Sequence, residues 1–135
     1  MKTAVIYWSG TGNTEQMANA VAEEAGAELF NVSNFSGDIS GYDRIAFGCP
    51  AMGAEVLEED EFEPFFTSIE ASLSGKTIAL FGSYGWGDGE WMRNWEERVI
   101  SAGANLINGE GLIVNETPDD DAIANCKVLG AELVK

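Results

Sequence analysis

Ser9, Gly10, Thr11, Gly12, Asn13 and Thr14 place three hydroxyls, an amide and two glycines in six consecutive positions, after an apolar run and directly before a helical pattern. A turn of this kind gathers backbone N–H groups and the positive end of a helix dipole around one small space, which suits a phosphate. Two familiar phosphate loops are excluded. No Lys follows Gly12, as a nucleoside-triphosphate loop requires, and Glu15 stands where a dinucleotide fingerprint has its third glycine. What remains suits a single terminal phosphate held by neutral donors: the hydroxyls of Ser9, Thr11 and Thr14, the Asn13 amide, and a backbone that the glycines allow to close in.

Two further loops carry groups suited to a flat ring. In Ser83-Tyr84-Gly85-Trp86-Gly87-Asp88-Gly89-Glu90, Trp86 lies between glycines with nothing local to bury it, so it is read as a wall for a planar ligand. The glycines beside it let backbone amides approach the ring edge. In Cys49-Pro50-Ala51-Met52-Gly53-Ala54-Glu55, the polarisable Met52 suits the other face of the same ring, and Glu55 can accept a hydrogen bond from a ring N–H. Trp91 and Trp95 have helical spacing and are expected in the core.

These loops must be positioned by the elements around them. Short apolar runs at about Thr3 to Trp8, Glu28 to Val32, Arg44 to Gly48, Thr77 to Ser83 and Leu112 to Asn115 read as strands covered on both faces. Helical stripes alternate with them. The first has Asn13 as its cap with Gln16 three residues on, then Met17, Val21, Ala22 and Ala25 on one face, and Gly26 as its end. The second runs Phe62, Phe65, Phe66, Ile69, Leu73, and the third Trp91, Trp95, Val99, ending at Gly103. In the fourth, Thr117-Pro118-Asp119-Asp120 supplies a cap, a first-position proline and acids in the first turn, with Ile123, Cys126, Gly130 and Leu133 facing inward. Ser33 to Asp43 shows no stripe and is expected to cross as a loop or short turn. Alternation of this kind predicts a single α/β domain over residues 1–135 with a parallel sheet and helices on both faces. Its ligand site is then beyond the carboxyl ends of the strands, where the strand order reverses.

Composition narrows the function. The content is 45% hydrophobic with 10% aromatic residues, enough for a core, and 23 acids against 7 bases give a formal charge of −16 that opposes nucleic acid and anionic membranes. A basic protein partner fits better. Six acids and no base fall between Glu55 and Glu63 (Glu55, Glu58, Glu59, Asp60, Glu61, Glu63), with Asp88 and Glu90 in a second loop. No apolar stretch approaches the roughly 20 residues of a membrane span. The start at Met1-Lys2-Thr3 lacks a charged leader with an apolar core, so a cytoplasmic protein is expected. Cys49 and Cys126 have no metal-ligand or disulfide spacing and there is no histidine, so both are expected buried and reduced, with no metal site.

Taken in order, Tyr-Trp-Ser-Gly-Thr-Gly-Asn-Thr from Tyr7, Cys-Pro-Ala-Met-Gly from Cys49 and Phe-Gly-Ser-Tyr-Gly-Trp-Gly from Phe81 resemble flavodoxin of the short-chain clostridial type, over nearly the whole chain. The resemblance implies the flavodoxin-like three-layer sandwich, with a five-stranded parallel sheet in the order 2-1-3-4-5. It implies FMN, its phosphate on Ser9 to Thr14 and its isoalloxazine between Met52 and Trp86. Glu55 would bond the ring N3–H, the Gly53 carbonyl would turn to N5, and the backbone from Gly85 to Gly87 would meet the pyrimidine edge. Ala51, Ala54, Ser83, Tyr84 and Asp88 complete the implied contact set. The residue pattern departs at Ala54, where the clostridial type has Asp; if the reduced-state turn demands positive φ there, a less stabilised semiquinone is expected.

The function implied is that of a monomeric, low-potential one-electron carrier shuttling between semiquinone and hydroquinone and substituting for ferredoxin. Its acidic flavin edge would dock on reductases, dehydrogenases, or hydrogenase or nitrogenase systems. A carrier needs no acid, base or nucleophile, in agreement with a chain that has no histidine. The alternatives are an FMN-dependent NAD(P)H:quinone reductase, the flavin domain of a larger reductase, and a cofactor-free binding module. A receiver-type signalling domain is disfavoured, because Trp8-Ser9 and Cys49-Pro50 occupy the places of its required acids.

Overall fold

The computed structural model describes residues 2–135. Its strands are β1 (Thr3–Tyr7), β2 (Glu28–Asn31), β3 (Arg44–Gly48), β4 (Thr77–Tyr84), β5 (Asn105–Leu106) and β6 (Leu112–Asn115), and its helices α1 (Asn13–Ala25), α2 (Phe62–Ile69), α3 (Glu90–Ser101) and α4 (Asp120–Leu133). The sheet is parallel throughout, in the order β2-β1-β3-β4-β5, with β6 also on β4. The expected order therefore holds, and the strand expected at Leu112 to Asn115 is β6, with a further short strand, β5, ahead of it. β5 pairs with Thr77 and Ile78, and β6 pairs with Phe81 to Tyr84. A 3-10 turn over Ile107–Gly109, with Asn108 at φ 62, separates the two.

Successive residues of each central strand face opposite layers, as the period of two requires. Ala4, Ile6, Ile45, Phe47, Ile78 and Leu80 pack with Phe62, Phe66, Ile69, Trp91, Trp95 and Val99 of α2 and α3. Val5, Tyr7, Ala46, Ala79 and Phe81 pack with Met17, Ala18 and Val21 of α1 and with Cys126, Leu129 and Leu133 of α4. The strands read as continuous apolar runs because each is covered from both sides. Both cysteines are free and buried, as expected, and burial pushes the Cys126 thiol up to about 11. The Ser33 to Asp43 crossover is a short 3-10 turn over Val32–Asn34 and then loop, closed by Lys76 Nζ donating to the carbonyls of Ile39 and Tyr42 at 3.3 and 2.7 Å.

Two expected caps move. Asn13 is the first helical residue of α1 rather than its cap, and Gly12 (φ 98) takes the cap position. Ser9 Oγ performs the capping chemistry from upstream, accepting the Glu15 amide at 3.2 Å. At α4 the cap is Asp119, whose carboxylate accepts the Ala122 amide at 2.8 Å, and Thr117 and Pro118 precede the helix. Asp caps at least as well as Thr, so the start slides two residues along. α1 ends at Gly26, as expected.

No helix among the described residues is long and apolar enough to cross a membrane.

Candidate functional site

β1, β3, β4 and β6 all deliver their carboxyl ends to one edge of the sheet, and a cavity of about 250 Å³ opens there. Trp8, Gly10, Thr11 and Asn13 line it from the loop after β1, Pro50, Ala51 and Met52 from the loop after β3, Ser83, Tyr84 and Gly85 from β4 and its end, and Glu116 from the end of β6. It sits at the β1–β3 junction, where the strand order reverses.

The 9–14 loop is organised by its own side chains. Ser9 Oγ accepts the amides of Gly12 and Glu15, each at 3.2 Å, and Thr11 Oγ1 accepts the Asn13 amide at 3.4 Å. Thr14 is 1% exposed, its hydroxyl 2.8 Å from Ser83 Oγ, and it also accepts the Ser83 amide. Thr14 and Ser83 therefore satisfy one another and tie the loop to β4. Gly10, Thr11 and Asn13 line the cavity, and Ser9, Gly12 and Thr14 complete the loop beside them.

The loop after β3 has a fixed stem. Cys49 donates its amide to the Phe81 carbonyl at 3.2 Å, its sulfur accepts the Glu58 amide at 3.4 Å, and its carbonyl accepts the buried indole N–H of Trp91 at 3.1 Å. Gly82 is what permits this approach, since a Cβ there would collide with the Cys49 carbonyl oxygen. Burial pushes the Cys49 thiol far above its ordinary range, which disfavours the reactive thiolate. Beyond the stem, Met52 and Val56 form a two-way backbone bridge at 2.9 and 3.2 Å around Gly53, Ala54 and Glu55. Positive φ falls on Gly53 (31) and Glu55 (55), leaving Ala54 outside the left-handed region in this arrangement.

Glu55 is 9% exposed and its Oε1 accepts the Gly89 amide at 3.3 Å. Its carboxyl group fits against Gly87 (φ +88), where a Cβ would come within 2.5 Å. The carboxylate thus joins the loop after β3 to the loop after β4. Trp86 stands 66% exposed on the latter, with nothing of the fold covering it. Gly53, Ala54, Glu55, Trp86, Gly87 and Asp88 rim the site rather than line the cavity.

The acidic run is resolved into separate tasks. Glu58 is buried, and its carboxylate accepts the amides of Asp60, Glu61 and Phe62 at 2.8, 2.8 and 2.9 Å, capping α2. Burial raises its pKa, but the three amides outweigh it and hold the group below the ordinary carboxylate range. Glu61 accepts the Trp8 indole N–H at 3.2 Å, and Glu63 shares Arg98 with Glu70. Asp88 pairs with Arg93 at 3.0 Å. Glu59, Asp60 and Glu61 are the exposed carboxylates of that run. Three lining residues, Trp8, Pro50 and Glu116, are absent from the set expected from sequence. Trp8 reads as the end of the first strand, and Glu116 follows the last strand at the same edge with no motif to mark it.

A cation-free loop of hydroxyls and amides, a chiefly apolar slot and an exposed indole beside it fit a flat aromatic ligand with a phosphate tail. The fold and the site thus define a flavin-nucleotide protein of the doubly wound class. The flavodoxin family profile matches residues 5–128. Curated flavodoxins from Megasphaera elsdenii and Clostridium beijerinckii are 48% and 47% identical, covering 97% and 96% of each chain respectively. A solution structure of two-electron reduced Megasphaera elsdenii flavodoxin superposes with a TM-score of 0.84 over 98% of both chains at 47% identity. This chain belongs to the flavodoxin family. Its cofactor is FMN and its activity is electron transfer, with redox proteins as partners, rather than enzymatic turnover of a substrate.

Proposed function

We infer that the chain is a cytoplasmic, monomeric low-potential carrier that works at the second, lower one-electron step of FMN and stands in for ferredoxin. FMN supplies the redox chemistry when bound, taking up electrons one at a time through its isoalloxazine. The observation that carries the reading is electrostatic: among the described residues no Lys or Arg lines the cavity, and none lies in the phosphate loop. Negative charge added to the ring meets no counter-charge in the lining and shares the cavity and its edge with the carboxylates of Glu116 and Glu55, so full reduction is disfavoured.

The residues divide the work. Ser9, Gly10, Thr11, Gly12 and Asn13 present neutral donors to the phosphate, with Thr14 and Ser83 holding that loop against β4. Met52 and Trp86 flank the ring, and Ala51 and Tyr84 close the slot behind it. The Glu55 carboxylate and the Gly85 to Gly87 backbone serve its polar edge, and the Gly53–Ala54 peptide can turn toward it. Asp88 belongs to the rim, held by Arg93. Docking of a basic redox partner uses the outward carboxylates, with long-range steering that salt weakens.

Anaerobic stepwise reduction of the purified yellow protein tests this. Two separated one-electron waves are expected, the second below that of free FMN. A single two-electron wave, or a second potential at or above the free value, would overturn it. The transfer rate to a basic ferredoxin-dependent reductase should fall as ionic strength rises, and a salt-independent rate would remove the docking assignment.

A further inference from the structure

Glu15 directly follows the phosphate loop, and the fold sends its carboxylate elsewhere. With Gly12 as the cap of α1, Glu15 is the third helical residue. A Glu at that position ordinarily turns back to accept the amide of the capping residue, which here is Gly12, inside the 9–14 loop. It does not do so. The Gly12 amide goes to Ser9 Oγ at 3.2 Å, and Glu15 Oε2 instead accepts the Tyr7 hydroxyl at 2.8 Å.

Tyr7 is built to hold that carboxylate. It is 6% exposed at the end of β1, paired with Asn31 on one side and Gly48 on the other. The Asn31 side chain hydrogen-bonds the same hydroxyl, and Asn31 Oδ1 is fixed in turn by the amide and hydroxyl of Ser33 at 3.1 and 3.0 Å. Burial, and then the Glu15 carboxylate, push the Tyr7 pKa above its ordinary value, so the phenol keeps the proton it donates. Tyr7 is thus a fixed point at the end of a central strand, whereas Glu15 is exposed on the first turn of a helix.

Released from Tyr7, the Glu15 carboxylate would meet the positive end of α1 and the Gly12 amide, for which a carboxylate is a stronger acceptor than the Ser9 hydroxyl. It would then occupy the donors of the loop as an internal substitute for phosphate. We propose that Tyr7 is a positioning residue for cofactor binding, holding the Glu15 carboxylate out of the 9–14 loop so that the loop stays open to the phosphate of FMN. The glutamate keeps its favourable place in the first turn of α1 without competing with the ligand. The proposal rests on the assignment of the FMN phosphate to this loop.

The test is titration of the apoprotein with FMN and with riboflavin, which lacks the phosphate. Wild type is compared with Tyr7→Phe, Glu15→Ala and the double variant, with thermal melting confirming that each folds. In Tyr7→Phe, FMN should weaken about ten-fold, the equivalent of one charge-assisted hydrogen bond, while riboflavin stays within about two-fold. The double variant should recover the wild-type affinity for FMN, because the competing carboxylate is gone. Unchanged FMN binding in Tyr7→Phe, equal weakening of both ligands, or a double variant as weak as Tyr7→Phe would each overturn the proposal. Should Tyr7→Phe fail to fold, Glu15→Ala decides by itself: FMN affinity within about two-fold of wild type is expected, since the carboxylate is already held away. A larger change confined to FMN would show that the carboxylate acts on the phosphate despite Tyr7, and would overturn the proposal. Wild-type protein that binds riboflavin as tightly as FMN would instead remove the phosphate assignment itself.

Discussion

The two loops on either side of the cavity are built on opposite plans. The 9–14 loop is stitched along its length by Ser9 and Thr11 hydroxyls and pinned from beneath by the buried Thr14–Ser83 pair. The loop after β3 is fixed at its stem, where the amide, carbonyl and sulfur of Cys49 all have partners. Its tip at Gly53 and Ala54 is exposed, held by the Met52–Val56 bridge and by the Glu55 contact with Gly89. A carrier needs one contact that holds whatever the redox state and another that can change with it. Placing them on separate loops lets each be altered without the other.

The largest test of that division is at the stem. Gly82→Ala drives a Cβ into backbone that cannot swing aside, and a loss of about 3 kcal/mol with greatly weakened FMN binding is expected in urea titrations. A variant as stable as wild type would show that the stem is not rigid. Thr14→Val leaves the buried Ser83 hydroxyl without its partner and should lose about 2 kcal/mol. If the tip is independent, both redox potentials should stay where they are.

Glu58→Gln weakens the α2 cap and the segment that braces Cys49, for about 1.5 kcal/mol. Its folded pKa lies below the ordinary 4.5, so the contribution is complete above that pH and disappears as pH falls through the folded value. Wild-type and variant stabilities should therefore converge in acid, and a gap that persists there would contradict the capping role. The smallest effect is at the tip. Ala54→Gly frees a residue between two that already take positive φ, and the first one-electron potential should rise by about 40 mV, the equivalent of roughly 1 kcal/mol. An unchanged potential would mean that the tip does not move on reduction.

The central strands were legible because both of their faces are buried, as in Arg44–Gly48, whereas Leu112–Asn115 buries Val114 alone and was legible from its apolar run. The pairs Trp91/Trp95 and Phe62/Phe66 were legible because helical spacing marks a buried stripe. Caps were less so, since Ser9 competes with Asn13 and Asp119 with Thr117, and only the path of the chain decides. The separate tasks within the acidic run were hidden for a similar reason. Composition cannot distinguish a solvated carboxylate from Glu58, which turns back onto the first amides of the helix it precedes. In the site, the glycine and hydroxyl loops announced themselves, whereas Glu116 carries no motif and is brought in by the register of β6 on β4.

That register has a consequence for how the molecule tolerates change. β4 carries β5 beside its beginning and β6 beside its end, and the chain between them passes through exposed Asn108, Gly109 and Glu110. The two halves are anchored separately, the second by the Gly111 amide donating to Glu96 at 2.8 Å. The gap is therefore a natural splice point, where extra sequence can be let into the edge of the sheet while the cavity at the far end of β6 keeps its shape.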